Sequence, residues 1–150
     1  MSLAQAPLIL FKLAYTFHKL KIPLLPSFFT ILNRVIWGIY LPPTVQLGKN
    51  VKFAYGGNGV VIHGRVVIGA NCTIGTGVTI GGRSKKFNVP VLGDDIYVGS
   101  GAKVLGPIKI GSNSIIAPNS VVLTTVDSNS VYAGIPAKKV KNIESIYDLI

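Results

Sequence analysis

Aliphatic side chains recur every six residues through the middle of the chain. The same phase is held, with one gap of twelve, by Ile62, Ile68, Ile74, Ile80, Leu92, Val98, Val104, Ile110, Ile116 and Val122. This period is neither the 3.6 of a helix nor the 2 of one long strand. It predicts one short strand and one turn every six residues, always with an aliphatic side chain inside, which is the pattern of a parallel β-helix. Residues 44–134 would form about five coils of roughly 18 residues each.

Two segments interrupt the period and are predicted to leave the coil as loops. The step from Phe53 to Ile62 is nine residues, and the glycine-rich stretch 54–59 holds the three extra ones. The second interruption lies between Ile80 and Leu92, where the basic stretch 82–88 has no aliphatic residue at the expected position. Long excursions from a regular scaffold often carry function, so we expect the active groups there.

The segments on either side of the repeats read as helices, giving three predicted regions. Residues 1–41 form an apolar helical segment, with helices expected over 3–21 and 27–40 and prolines between them. Residues 42–140 form the β-helix, and residues 141–150 a short C-terminal helix. The N-terminal helices are expected to cover the open end of the β-helix and to pack in a trimer. Peripheral membrane contact through residues 3–40 is a further role that their basic and apolar residues allow.

The net charge, the cysteine content and the N-terminal sequence limit the classes of partner and the cellular location that we expect. The formal net charge is +10, which favours an anionic partner. No nucleic-acid-binding motif is present, so we expect no nucleic acid partner. The single cysteine excludes an intrachain disulfide framework. The N-terminus does not resemble a signal peptide, and its apolar stretches are broken too often to span a membrane. The predicted location is the cytoplasm, with the inner face of the cell membrane as a site of contact.

Five segments of the repeats resemble the hexapeptide-repeat acyltransferases, namely the serine acetyltransferases and the related enzymes that acetylate bacterial exopolysaccharides. They are Gly-Val-Val-Ile at 59–62, Gly-Val-Thr-Ile-Gly-Gly at 77–82, Gly-Ala-Lys-Val-Leu-Gly at 101–106, Asn-Ser-Val-Val-Leu at 119–123 and Ala-Gly-Ile-Pro-Ala at 133–137. The resemblance implies a left-handed β-helix, a homotrimer, acetyl-CoA as acyl donor, no metal, and an active site between subunits.

The resemblance breaks at the residues that carry the chemistry. Serine acetyltransferases have a catalytic Asp-His pair where this chain has Ala54 and Tyr55, and an Arg-His pair that contacts the acceptor near Asn88 and Val89. Because these groups are missing, the acceptor is predicted to be a sugar hydroxyl of a surface polysaccharide or its lipid-linked precursor. The alternatives are a serine O-acetyltransferase of cysteine biosynthesis and a non-catalytic trimeric scaffold.

Acetyl transfer needs a base that takes the proton of the acceptor. His63 is the predicted base, because it follows a loop and histidine is the side chain best suited to act as a base near neutral pH. The alternatives are a purely structural corner residue, or a role for Tyr55, which is also expected to orient the acceptor. The other histidine, His18, reads as a helix-surface residue. Asp94 and Asp95 could reach across a subunit boundary to support His63, or serve as ordinary turn residues.

Donor and acceptor contacts are predicted from motif positions. The small residues expected to admit the pantetheine arm, together with the lysines expected to hold the phosphates, are Gly81, Gly82, Ser100, Gly101, Ala102, Ala117, Pro118, Lys138 and Lys139. A turn requirement explains each single glycine equally well. The residues expected to bind the acceptor are Tyr55, Asn58, Arg83 and Asn88. Arg83 belongs to a basic group with Lys85 and Lys86 that is either a phosphate or glycan contact or a solvated loop.

Overall fold

A computed structural model describes residues 5–150, so the first residues of the helix expected over 3–21 lie outside the described part. The predicted left-handed parallel β-helix is confirmed. Its strands are β1 (Gln46–Leu47), β2 (Lys52–Phe53), β3 (Val61–Ile62), β4 (Val67–Ile68), β5 (Thr73–Ile74), β6 (Thr79–Gly81), β7 (Val91–Leu92), β8 (Ile96–Val98), β9 (Lys103–Leu105), β10 (Lys109–Ile110), β11 (Ser114–Ile116), β12 (Val121–Val122), β13 (Ser130–Gly134) and β14 (Ala137–Asn142).

The strands stack into three sheets that form the faces of a prism. Sheet A contains β3, β6, β9 and β12, sheet B contains β1, β4, β7 and β10, and sheet C contains β2, β5, β8, β11, β13 and β14. The chain visits the sheets in the repeating order B, C, A, and all pairs are parallel except β13 with β14. The period-six aliphatic residues are buried in one continuous core.

A ladder of amide side chains holds the corner between sheets B and C. Its residues adopt left-handed φ values between 53° and 57°, which Asn and Asp tolerate better than most residues: Asn50, Asn71, Asp95, Asn113 and Asn129. The Asn50 Nδ2 donates to Asn71 Oδ1 at 3.1 Å, and the Asn71 Nδ2 donates to Asp95 Oδ1 at 3.1 Å. Each coil is therefore tied to the next at this corner.

Two antiparallel helices precede the coils. Helix α1 spans Ala6–Lys19 and packs into the core through Phe11. Helix α2 spans Leu25–Trp37 and ends at Gly38, whose φ of 69° forms a left-handed C-cap. It begins two residues before the predicted start because Pro26 is tolerated in a first turn, where its missing N–H is not needed. No helix in residues 5–150 is both long and apolar enough to cross a bilayer.

A hairpin closes the C-terminal end of the prism. Strand β14 turns back along β13 and runs to Asn142, across the predicted boundary at 140/141. Its exposed lysines suit an edge strand, since charged edges resist pairing with other chains. The C-terminal helix expected over 141–150 is a single 3-10 turn at Ile146–Asp148, begun by the Ser145 hydroxyl, which accepts from the Tyr147 N–H.

Candidate active site

Most of the predicted site residues lie along the two edges of sheet A. The corner between sheets C and A, here named the Tyr55 corner, carries the turn Ala54–Gly57, Asn58, Ser100, Gly101, Ala117 and Pro118. The corner between sheets A and B, here named the His63 corner, carries His63, Gly82 and the loop 83–90. Within one subunit the two predicted catalytic residues are therefore separated by the width of sheet A.

The ring of His63 accepts one hydrogen bond, from the backbone of its own turn. Its ring is exposed, and Nδ1 accepts the backbone N–H of Arg65 at 3.2 Å. A neutral imidazole that accepts at Nδ1 carries its hydrogen on Nε2. No carboxylate among residues 5–150 hydrogen-bonds this ring. The imidazole can thus donate from Nε2 as it stands, whereas taking a proton requires it to leave the Arg65 amide.

Within one chain Asp94 and Asp95 do not reach His63, because they lie at the corner between sheets B and C. The Asp94 carboxylate accepts the Ala70 N–H at 2.7 Å, and Asp95 accepts from both Asn71 and the Tyr147 hydroxyl. Their alternative role as turn residues is the one that the single chain shows. The hydrogen bond to Asp95 raises the pKa of the Tyr147 phenol above its usual value.

The basic loop folds over Arg65, a residue that sequence reasoning missed. The Arg65 guanidinium donates to the Phe87 carbonyl and lies 4.0 Å from the centroid of the Phe87 ring. This contact brings the loop of Arg83 and Asn88, both exposed, to the same corner as His63. A signal was available in the period itself. Arg65 follows strand β3 and the loop follows strand β6, and two strands one full coil apart end at the same corner.

Tyr55 stands at the tip of the other corner. Its side chain is 88% exposed, and its backbone has φ 50° and ψ 39°. A bulky residue in this left-handed region is strained. The neighbouring Asn58 is also exposed, and its carbonyl accepts the Gly77 N–H at 2.9 Å. The phenol and the amide side chain are therefore open to a bound molecule.

Gly81 and Gly82 differ from the other glycines of the repeats. A Cβ on Gly75 or Gly99 would lie 2.5 Å from a backbone nitrogen of the next coil. At Gly81 a Cβ would meet nothing within 4 Å, and at Gly82 only Val89 at 3.7 Å. Neither has a left-handed φ. The fold of the single chain thus does not require glycine at these two positions, which leave free space at the end of β6.

The remaining small residues have unequal access to a ligand. Ala102 is fully buried, and its N–H and carbonyl are paired with Gly99 and Thr79. The methyl group of Ala102 lies in the core, so a donor contact at this position stays a prediction that the single chain does not expose. Ser100 is half-buried beside Thr76, at 3.3 Å between the hydroxyl oxygens. Gly101 has a φ of 75°, so a turn requirement accounts for it.

Ala117 and Pro118 line a shallow groove of about 490 Å³ with Tyr97. A larger groove of about 1750 Å³ lies between α1 and the prism, and none of the predicted site residues lines it.

Among residues 5–150, no three His, Cys, Asp or Glu side chains are grouped to hold a metal ion.

Three lysines are candidates for holding an anionic group. Lys138 and Lys139 are exposed on β14, and Lys139 forms an ion pair with Asp127 at 3.0 Å. Lys138 has no ion pair within the described chain and is the freer cation. Lys103, not predicted, projects from sheet A and donates from Nζ to the Gly77 carbonyl at 2.6 Å. Its outward position in the six-residue period was the signal that could have found it.

Comparisons with known proteins agree on one group. The family described as bacterial transferase hexapeptide (six repeats) matches residues 90–124. Serine acetyltransferase from Synechococcus elongatus is 37% identical over 133 residues, covering 87% of this chain and 54% of that protein. Serine acetyltransferase from Staphylococcus aureus is 46% identical over 112 residues, covering 73% of this chain and 52% of that protein. The chain thus spans about half the length of these relatives.

Solved structures give the same result. Serine acetyltransferase from Brucella abortus superposes with a TM-score of 0.90 at 28% identity, over 95% of this chain and 59% of that one. The structure of that enzyme in complex with coenzyme A superposes with a TM-score of 0.86, over 95% of this chain and 58% of that one.

The predicted sugar acceptor is wrong, because the relatives that match so broadly are serine acetyltransferases. The prediction rested on the missing Arg-His pair near Asn88 and the missing acid near Ala54. It overlooked that the fold brings Arg65 and Arg83 to the same corner. Cations for a small carboxylate can therefore come from positions outside the missing pair.

Proposed function

The chain belongs to the hexapeptide-repeat acyltransferases, and on that premise we propose that it transfers an acetyl group from acetyl-CoA to the hydroxyl of serine. The observation that carries the proposal is the match of nearly the whole chain to serine acetyltransferases in both sequence and fold. The reaction would take place in the cytoplasm, the location that the sequence predicts.

The free space at Gly81 and Gly82 supports the donor site. A thioester can approach the backbone closely only where no side chain intervenes. The Gly82 N–H donates to no backbone carbonyl within residues 5–150. It is therefore available for the oxygen that becomes negative as the acceptor attacks. The uncommitted cation of Lys138 suits a phosphate of the donor.

The reaction forms one bond and breaks one. The serine oxygen bonds to the thioester carbon while the carbon–sulfur bond breaks, and the hydroxyl proton ends on the departing thiol. We propose His63 as the group that moves this proton, after its ring turns away from the Arg65 amide. Arg83 would hold the serine carboxylate, with Asn88, Asn58 and Tyr55 as hydrogen-bonding groups. A charge-assisted contact of this kind fixes a small acid more firmly than neutral contacts do.

A homotrimer would complete the site. His63 and Tyr55 lie on opposite edges of sheet A, so a neighbouring prism is needed to bring one subunit's His63 corner against another's Tyr55 corner. Flat parallel sheets offer faces that can pack side by side, and most oligomers close by symmetry.

The test measures release of the coenzyme A thiol with L-serine, with D-serine and without acceptor. Turnover that depends on L-serine supports the proposal. Calorimetry with acetyl-CoA separates two failures. Donor binding without serine-dependent turnover would mean that the acceptor is another hydroxyl compound. Absence of both binding and turnover would favour the non-catalytic trimeric scaffold.

A further inference from the structure

Helix α2 carries apolar side chains on its outer side as well as on the side that packs against the protein. Thr30 and Asn33 face inward and are buried, and the Asn33 Nδ2 donates to the Pro7 carbonyl at 3.0 Å. The outward stripe is apolar, with steps of three and four residues that place its members on one side of the helix: Phe28, Ile31 and Val35. Leu24, just before the helix, is 82% exposed. A surface helix normally turns its apolar stripe inward. The second, exposed stripe indicates that something other than water covers the outside of α2.

Helix α1 also exposes apolar side chains. Ile9, Leu13 and Leu20 are exposed there. Together with the stripe of α2 they form what is here named the outer apolar face. The described chain places no element over it. A contiguous apolar surface larger than roughly a few hundred Å² marks an interaction site on most proteins.

The distribution of charge indicates which kind of partner covers the outer apolar face. All five acidic residues of the chain follow residue 93, whereas ten of its fifteen basic residues precede it. Every charged residue of the segment 5–40 is accordingly a cation: Lys12, Lys19, Lys21 and Arg34. A second copy docked through the same face would oppose cations with cations. An anionic bilayer supplies both a partner for the cations and an apolar layer for the stripe.

Helix length decides how the helices would meet the bilayer. With 14 and 13 residues, α1 and α2 are each about 20 Å long at 1.5 Å per residue, too short for a hydrocarbon core of about 30 Å. We propose that the α1–α2 hairpin lies flat on an anionic membrane surface, with the outer apolar face buried at the headgroup boundary. This location is independent of which acceptor the enzyme uses.

The test is flotation of the full chain with vesicles of phosphatidylglycerol and phosphatidylcholine, and with phosphatidylcholine alone, at physiological salt. The apolar variant is Ile31→Ser, and its control is Val140→Ser, because both side chains are 62% exposed but Val140 lies on β14. The charge variant is Lys19→Gln with Lys21→Gln, and its control is Lys109→Gln with Lys141→Gln. Each test variant and its control remove a similar apolar group or the same charge, from different parts of the molecule.

We expect binding to anionic vesicles only, weakened about tenfold or more by the variants of the hairpin and changed less than about twofold by the controls. Equal losses in the test and control lysine variants would indicate diffuse attraction by net charge and overturn the proposal. So would an absence of vesicle binding. If sedimentation instead shows an assembly larger than a trimer that Ile31→Ser dissociates, the occupant is a second copy and the membrane proposal fails.

Discussion

Adding a single methyl group at Gly81 tests whether glycine is required there for the stability of the fold or for binding of the acetyl-CoA donor. In Gly81→Ala the new Cβ meets nothing within 4 Å. The fold should therefore keep its stability or gain about 0.4–1 kcal/mol from the smaller entropy of the unfolded chain. In the control Gly75→Ala, the Cβ would lie 2.5 Å from the Ser100 backbone nitrogen. Two coils must separate to admit it, which by analogy with overpacked cores costs about 1–3 kcal/mol.

For donor affinity the expected order of the two variants is reversed: the Gly81 variant should lose affinity and the Gly75 variant should not. If acetyl-CoA approaches the backbone at the end of β6, Gly81→Ala should weaken donor binding about tenfold, equivalent to about 1.4 kcal/mol. Gly81→Val should weaken it further, because the larger side chain fills more of the free space. Gly75→Ala should retain donor affinity in whatever fraction remains folded.

Denaturant unfolding gives the stabilities, and calorimetry with acetyl-CoA gives the affinities. Unchanged donor affinity and turnover in Gly81→Val would refute the donor contact at β6. A Gly75→Ala protein as stable as the parent would refute the argument from coil spacing.

Three further predictions address the proton, the thiol and the assembly. His63→Ala should lower turnover by a factor of about 10²–10⁴ with little change in donor affinity. His63→Gln should be equally impaired if the ring moves a proton. It should be largely active if the ring only donates a hydrogen bond from Nε2. Burial raises the pKa of the Cys72 thiol from 9.0 to about 11, so the thiol ionises at a lower pH in the unfolded chain than in the folded one. Its contribution to the free energy of unfolding should be fully retained below the unfolded pKa and lost as the pH rises towards the folded pKa. A Cys72→Ala chain whose unfolding has the same pH slope would contradict this. Sedimentation should show a trimer at low micromolar concentration, and a fully active monomer would contradict the shared site.

The six-residue period was sufficient to predict the β-helix, because a coil cannot close unless the same position of each repeat points inward. Ile62 and Val122 lie far apart in sequence yet occupy equivalent buried positions, as the period requires. The two interruptions of the period likewise predicted the loops at 54–59 and 82–88, since residues that cannot fill an inward position must leave the coil. Family motifs then indicated the donor.

Only the tertiary structure decided how the candidate residues are distributed. Tyr55 and His63 are close in sequence, but the strand between them sends them to opposite edges of sheet A. Whether Asp95 supports a histidine or a turn depends on which corner it occupies, and the ladder with Asn71 lies at the corner between sheets B and C.

The side of α2 that faces the protein could not be predicted from the sequence either. The pattern of α2 predicts a helix with an apolar stripe, but it does not say which side faces the protein. Packing against α1 buries Thr30 and Asn33 and leaves Ile31 outside. Periodicity fixes the direction of each side chain relative to its own strand or helix, whereas contacts between elements distant in sequence fix what that side chain meets.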